Sequence, residues 1–495
     1  MTNKCVLHRQ PSTCVSAFDR RPGASRGPDA EGLKKLWIRA FAGMTGSSRM
    51  LKSVDKILVV LFVLLLSFFG QPRPCGALPP VERTVLQNGL TVLTFQDPSI
   101  PAVTLELLVE AGSWRDPKDQ KGLANLTAKS VLLGTGSFSF EQINNRLDFL
   151  GASLDATCTK DFATYSMQML KKDLDSGVGL FMDLVTNASF PESEVAKEKD
   201  NIIGKIRSIE EEPLEVALRA FDRALYLKSP YAGAIEGTEQ SLAGIGADSM
   251  RAFYSAFYRP NNAVLVIGGD ISAEEVKRRI VPRLLQWPSA EIPAMPFVVE
   301  FAKGPQAVKI DKPVSQACIV VGGPCVKRSD KDYYALSVMN NILGSGSLTS
   351  RLMVEIRIKM GLAYAVESLV LARKYAGAFQ ILIQTKNPSA KEAVSLAQKE
   401  MTRLRQEPVS EAELEGAKKF LIGNFPLRYS STQQDYAKFL AQVEFYNLGS
   451  DYPEKYPSLI QAVTAQDILR VAREYLKPES SIMTVVADLE KAQMK

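Results

Sequence analysis

Histidine is almost missing from this chain: one in 495 residues, His8. Beyond residue 77 there is none, which excludes a Ser-His-Asp triad, a Cys-His dyad and any imidazole zinc site from the body of the protein. Cysteine is nearly as scarce. Three of the six, Cys5, Cys14 and Cys75, precede residue 78, leaving Cys158, Cys318 and Cys325. An odd number without C-x-x-C spacing argues against a thiolate zinc site or a disulfide framework. Cys318 and Cys325 bracket the run IVVGGP, and an extended chain holds them too far apart to bridge, so they read as small buried hydrophobes. No Gly/Ser, Gln or acidic tract follows residue 80. Carboxylate-pair chemistry of the glycosidase kind stays open in principle, but no local motif points to it.

The apparent surplus of positive charge is also missing where it would count. Residues 1–77 carry twelve Lys/Arg and four Asp/Glu, so the remainder holds 48 basic and 50 acidic residues, two charges negative. No basic footprint for nucleic acid survives. The same segment contains the longest apolar run, residues 57–69 (ILVVLFVLLLSFF), preceded by Arg49, Lys52 and Lys56 and followed by small residues at 75–77. That is the layout of a secretory signal peptide at 50–77. Thirteen residues are short for a bilayer; an uncleaved membrane anchor is the alternative. Residues 1–49 are polar and irregular, and Met50 is read as the true start. The expected location is periplasmic or secreted.

The body reads as alternating strands and helices. A hairpin at 84–96 turns at Asn88-Gly89, and 103–109 is a third strand. Helices follow at 122–133 and from a capping box at Ser139 to a stop at Gly151, then strands 152–158 and 163–170. Helices near 173–185 and from Pro191 precede a strand at 263–267. The order returns in the second half: strand 319–321, helix 332–343, strands 363–372 and 378–386, helix 389–404, and helices starting at Ser410 and Thr464. Leu132-Leu-Gly-Thr-Gly-Ser137 is echoed by Ile342-Leu-Gly-Ser-Gly-Ser347, and PESEV at 191–195 by VSEAEL at 409–414. A period this long indicates duplicated domains, since solenoid repeats run roughly 20–50 residues. Two homologous α+β domains are expected, 82–287 and 306–490, each a mostly antiparallel sheet covered by helices and facing the other across a cavity, with a Pro-rich linker at 288–305.

Several separated segments occur in the order of one family. Asn88-Gly-Leu90, Gly112-Ser-Trp-Arg-Asp116, Gly122-Leu-Ala124, Leu133-Gly-Thr135, Ser229-Pro-Tyr231, Gly237-Thr-Glu239 and Phe257-Tyr-Arg-Pro-Asn-Asn262 resemble the pitrilysin/insulinase metallopeptidases, which include the mitochondrial processing peptidases. The resemblance spans about 80–490. In active members the GLA is followed by His-x-x-Glu-His, two imidazoles on one helical face with a general base between them. Here the stretch is Asn125-Leu-Thr-Ala128-Lys129, so Asn125 and Lys129 replace two ligands and Ala128 replaces the base. Alignment of the downstream helix puts Lys205 at the third ligand, with Gly204 as the near alternative. The resemblance therefore implies no metal in this chain. Asn125-Leu-Thr127 also spells a glycosylation sequon, a weak signal inside a helix.

The second half departs less. Arg357-Ile-Lys-Met-Gly-Leu-Ala-Tyr364 is similar to the family's REKxGLAY signature. In the family the Arg binds a peptide carbonyl and the Tyr supports the developing oxyanion. Without the family, Arg357 reads as an ordinary helix-end arginine and Tyr364 as an ordinary strand aromatic. With it, Arg357 and Tyr364 are the expected substrate-binding residues. The expected function is a non-catalytic subunit of a heteromeric zinc peptidase. It would bind unfolded peptide segments along a sheet edge and serve a zinc-bearing sister chain. The alternative is a peptide-binding or structural scaffold without a role in hydrolysis.

Overall fold

The computed structural model describes residues 78–495; the readings of 1–49 and 50–77 fall outside the described residues. Strand β1 (Val81–Val85) pairs antiparallel with β2 (Thr91–Gln96). Between them Gly89 takes φ +85°, where a Cβ would sit 2.6 Å from that of Asn261. Strand β3 (Ala102–Val109) is buried along its whole length because it is central, paired on both sides and covered on both faces. That is why it reads as a continuous apolar run rather than an alternating one.

Helix α1 (Leu123–Ser130) and helix α2 (Phe140–Leu150) follow. Ser139 and Gln142 form the expected reciprocal cap of α2, and Gly151 ends it at φ +55°. Strands β4 (Ser153–Cys158) and β5 (Ala163–Leu170) make the next hairpin. Helices α3 (Leu174–Thr186), α4 (Glu192–Glu211), α5 (Pro213–Tyr226) and α6 (Ala247–Phe257) lead to β6 (Ala263–Gly269). The sheet order is β1-β2-β6-β3-β5-β4, antiparallel except for β2 beside β6.

The second sheet contains β7 (Gln306–Asp311), β8 (Gln316–Cys325), β9 (Ala363–Ala372), β10 (Gly377–Lys386) and β11 (Ile482–Ala487) in the order β7-β11-β8-β10-β9. Equating β2 with β7, β3 with β8, and so on reproduces the first sheet without β1, down to the single parallel pair, β7 with β11. The duplication inferred from short echoes is thus a duplication of topology. Its helices are α7 (Tyr333–Asn340), α8 (Ala390–Gln406), α9 (Glu411–Asn424), α10 (Gln433–Phe445), α11 (Tyr452–Gln461) and α12 (Ala465–Tyr475). Ser410 and Thr464 cap α9 and α12 as expected.

The helix expected at 332–343 differs at its end. After Asn340 it widens into a π-helical turn at Asn341–Ser345, and Gly344 lies so close to β9 that a Cβ would meet the Ser368 hydroxyl at 2.4 Å. The close backbone approach accounts for the glycine at 344.

Two helices cross to the opposite half. Helix α5 packs on β8 and β11, with the Thr484 hydroxyl donating to the Ala217 carbonyl at 2.8 Å. Helix α10 packs on β3 and β6, with Tyr436 edge-on to Phe95 at 4.8 Å. The irregular stretch 288–305 lies against the same joint, where Phe297 stacks on Tyr375 at 4.6 Å. Polar contacts reinforce it: Tyr375 donates to Glu110 at 2.7 Å, Lys374 pairs with Glu110, and Tyr446 donates to Asp161 at 3.1 Å. Pro79–Lys495 accordingly form one compact unit. Cys158, Cys318 and Cys325 are free thiols. No helix among the described residues is long and apolar enough to cross a membrane.

Candidate functional site

Helix α1 begins where Asp116 accepts from the backbone N–H of Gly122 and of Ala124, both at 2.8 Å. These bonds satisfy two of the helix's free donors. Burial pushes the Asp116 carboxyl up to about 7, and the two N–H groups oppose the shift. Helix α4 packs across α1, and α6 supports it from behind. Asn125, Ala128 and Lys129 thus lie on α1 and Lys205 on α4, and their side chains make separate contacts.

Asn125 is 5% exposed and its Nδ2 has no partner. A sequon asparagine buried in a helix is not available to a glycosyl donor. Ala128 is fully buried, and its carbonyl accepts from the Tyr165 hydroxyl at 2.9 Å, which in turn meets the Tyr258 hydroxyl at 2.9 Å. Lys129 reaches outward to Glu198 on α4 at 3.2 Å. Lys205, two turns further along α4, pairs instead with Glu236 at 2.9 Å, which also takes Arg219 at 2.8 Å. These contacts hold the Glu236 carboxyl below its ordinary value despite burial.

Reasoning from sequence foresaw the lysines but missed Glu198, Glu236 and Arg219. Glu198 was legible, because it precedes Lys205 by seven residues and so shares its helical face. Glu236 and Arg219 come from other segments and carried no local signal.

This donor set does not fit zinc. Three cations, Lys129, Lys205 and Arg219, face two carboxylates that are already paired. Cys158, on edge strand β4, has its thiol raised well above the ordinary range by burial and by Asp116 and Glu236, with Lys129 opposing, which disfavours the thiolate that a metal would need. Among the described residues no three of His, Cys, Asp and Glu are grouped to hold a metal ion.

The second candidate pair is built by a short wide helix, Met353–Lys359, and the edge strand β9. Gly361 at φ +62° reverses the chain, with its N–H on the Arg357 carbonyl at 3.1 Å. That reversal brings Tyr364 back beside Arg357, whose guanidinium carbon is 5.9 Å from the ring centroid. Tyr364 is 62% exposed, and Arg357 is exposed with only a distant contact to the Met353 sulfur at 4.0 Å. Among the described residues Arg357 has no carboxylate partner, and no hydrogen bond or ion pair joins the pair to Asn125, Lys129 or Lys205.

Duplicated sheets exchanging one helix each define a peptidase-like fold, with no cluster of metal-ligating side chains among the described residues. Comparison with known proteins agrees. Residues 91–239 match the family model "Insulinase (Peptidase family M16)", and residues 244–421 match "Peptidase M16 inactive domain". The chain belongs to this family. It is 25% identical over 364 residues to the uncharacterized zinc protease YmxG of Bacillus subtilis, covering 71% of this chain and 85% of that one. It is 27% identical to the "non-peptidase homolog YmxG" of Helicobacter pylori, over 70% of this chain and 80% of that one. The beta subunit of the mitochondrial-processing peptidase of Bos taurus is 23% identical, with 83% and 85% covered. A solved peptidase M16 inactive domain from Pseudomonas fluorescens superposes with a TM-score of 0.76 at 26% identity, covering 82% of this chain and 98% of that one.

Proposed function

We propose that this chain is the non-catalytic subunit of a heteromeric zinc peptidase, with two domains at 82–287 and 306–490 meeting at 288–305. It binds extended peptide and presents Arg357 and Tyr364 to the active site of a zinc-bearing sister chain of the same family. The zinc belongs to that partner. The observation that carries the reading is the contrast in commitment. Lys129 and Lys205 are taken up by internal ion pairs, whereas Arg357 and Tyr364 stand together, exposed and, among the described residues, without a carboxylate partner. A guanidinium and a phenol held side by side supply donors for a carbonyl and an oxyanion. The edge strands β4 and β9 offer unpaired backbone for an added peptide strand. The apolar run at 57–69 supports export to the periplasm or beyond, with anchoring as the lesser form.

The test is peptide hydrolysis by the purified chain, alone and titrated with the sister chain. Turnover is expected only in the mixture and saturates near equal amounts. Arg357→Ala and Tyr364→Ala each lower kcat about 10–100-fold, the range seen for loss of one oxyanion donor and below, with the sister's zinc content unchanged. Unaltered turnover in both variants removes the catalytic role; a sister chain equally active by itself leaves a peptide-binding scaffold in its place.

A further inference from the structure

Between α10, the first turn of α11 and the far end of edge strand β9 opens a cleft of about 390 Å³. Three cations line it, Arg328, Arg428 and Lys438, and one carboxylate, Asp435. Asp435 is already engaged in starting α10. Its carboxylate accepts from the Thr432 hydroxyl at 2.8 Å, and the same hydroxyl accepts from its backbone N–H at 3.0 Å. None of the three cations has a carboxylate within 4 Å among the described residues. The lining therefore carries a formal surplus of positive charge.

Arg328 is the fixed member. Its Nη2 donates to the Tyr452 hydroxyl at 2.6 Å, and its guanidinium lies over the Tyr333 ring at 3.8 Å. Its Nη1 is buried and has no partner. A charged donor held away from water without an acceptor is costly, and such donors are nearly always matched. The rest of the lining is half aromatic, Phe425 and Phe439 included, and otherwise mostly aliphatic. Phe425 is stacked on Tyr456 at 3.7 Å and meets Phe439 edge-on.

We propose that this cleft is a binding site for a carboxylate carried on a short aromatic or apolar body. Arginine's planar fork suits a carboxylate, and the aromatic floor suits a ring. A cleft at the small end of ligand-site sizes holds one ring and a short tether. Asp435 at the lining works against a polyanion. The site is separate from Arg357 and Tyr364, since Val370 in the cleft lies six strand residues beyond Tyr364, about 20 Å. It is also independent of the subunit role proposed above. Two sources present this chemistry: a free aryl-alkanoic acid and the terminal residue of a peptide ending in phenylalanine.

Calorimetry on the full chain decides it, using 3-phenylpropanoate, its amide, and a peptide ending in phenylalanine as free acid or as amide. The acids bind at least about tenfold more tightly than their amides, and Arg428→Gln with Lys438→Gln together weaken them by about tenfold or more. Both residues are exposed, so the double variant keeps its melting temperature. A peptide acid tighter than 3-phenylpropanoate identifies chain ends as the source, and the reverse identifies the free acid. Equal binding of acid and amide, indifference to the double substitution, or equal displacement by inorganic phosphate overturns the proposal.

Discussion

The two halves of this molecule descend from one topology and have opposite sites. In the first, the lysines of α1 and α4 are engaged by other side chains of the same half: Lys129 on Glu198, and Lys205 with Arg219 on Glu236. In the second, Arg357 and Tyr364 touch each other and little else. The contrast teaches that losing a metal site is not a subtraction. Here the half-buried carboxylates Glu198 and Glu236 are matched by positive charge from within the chain. Among the described residues the open pair has no such carboxylate or ammonium partner.

The most severe way to break the contrast is to reopen the closed site. Asn125→His, Ala128→Glu, Lys129→His and Lys205→Glu together should convert a chain without stoichiometric zinc into one binding a single ion with a Kd of about 1 µM or tighter, read by metal analysis after dialysis. Lys129→His alone should bind none, because Lys205 and Arg219 remain. A quadruple variant without zinc would show that α1 and α4 no longer lie at ligand spacing.

A smaller effect sharpens the difference through pH. Glu106, buried in β3 beneath α10, accepts from the Ser166 hydroxyl and is pushed up to about 7 by burial, with Asp155 raising it further and Lys438 opposing. An acid raised on folding binds its proton more tightly in the native state, so its contribution is complete below the unfolded value near 4.5 and falls as pH rises toward 7. Glu106→Gln should remove about 2–3 kcal/mol of that decline between pH 4.5 and 7, measured as denaturant midpoints across the range. A parallel pair of curves would mean that Glu106 is ionised throughout.

The smallest effect lies in the internal pairs themselves. Lys129 and Lys205 are partly exposed, so Lys129→Ala and Lys205→Ala should each cost only about 0–1 kcal/mol in thermal unfolding. A loss of several kcal/mol would place the lysines among the main stabilisers of the first half.

Legibility followed distance along the chain. The Asn88-Gly89 turn, the Ser139 cap and the Gly151 stop are written in neighbouring residues and stand where expected. So do the β4–β5 and β9–β10 hairpins, whose partners are close in sequence. Strands β7 and β11 pair across nearly the whole second half, and neither has a turn signal joining it to its neighbour; both went unread. Likewise the lysines at the lost ligand positions were plain, but Glu236 reaches Lys205 from a different segment. Reading the substitutions revealed what the site cannot hold, and only the folded chain revealed what holds it closed.

The exchanged helices α5 and α10 carry a consequence for the history of such a chain. Each covers the sheet of the opposite half, so a gene cut within 288–305 would encode two fragments, each with one sheet face stripped bare. The first half could not be discarded, because the sheet of the second half is partly covered by its helix α5. It persists as an architectural dependency, bound to keep α5 whatever becomes of α1.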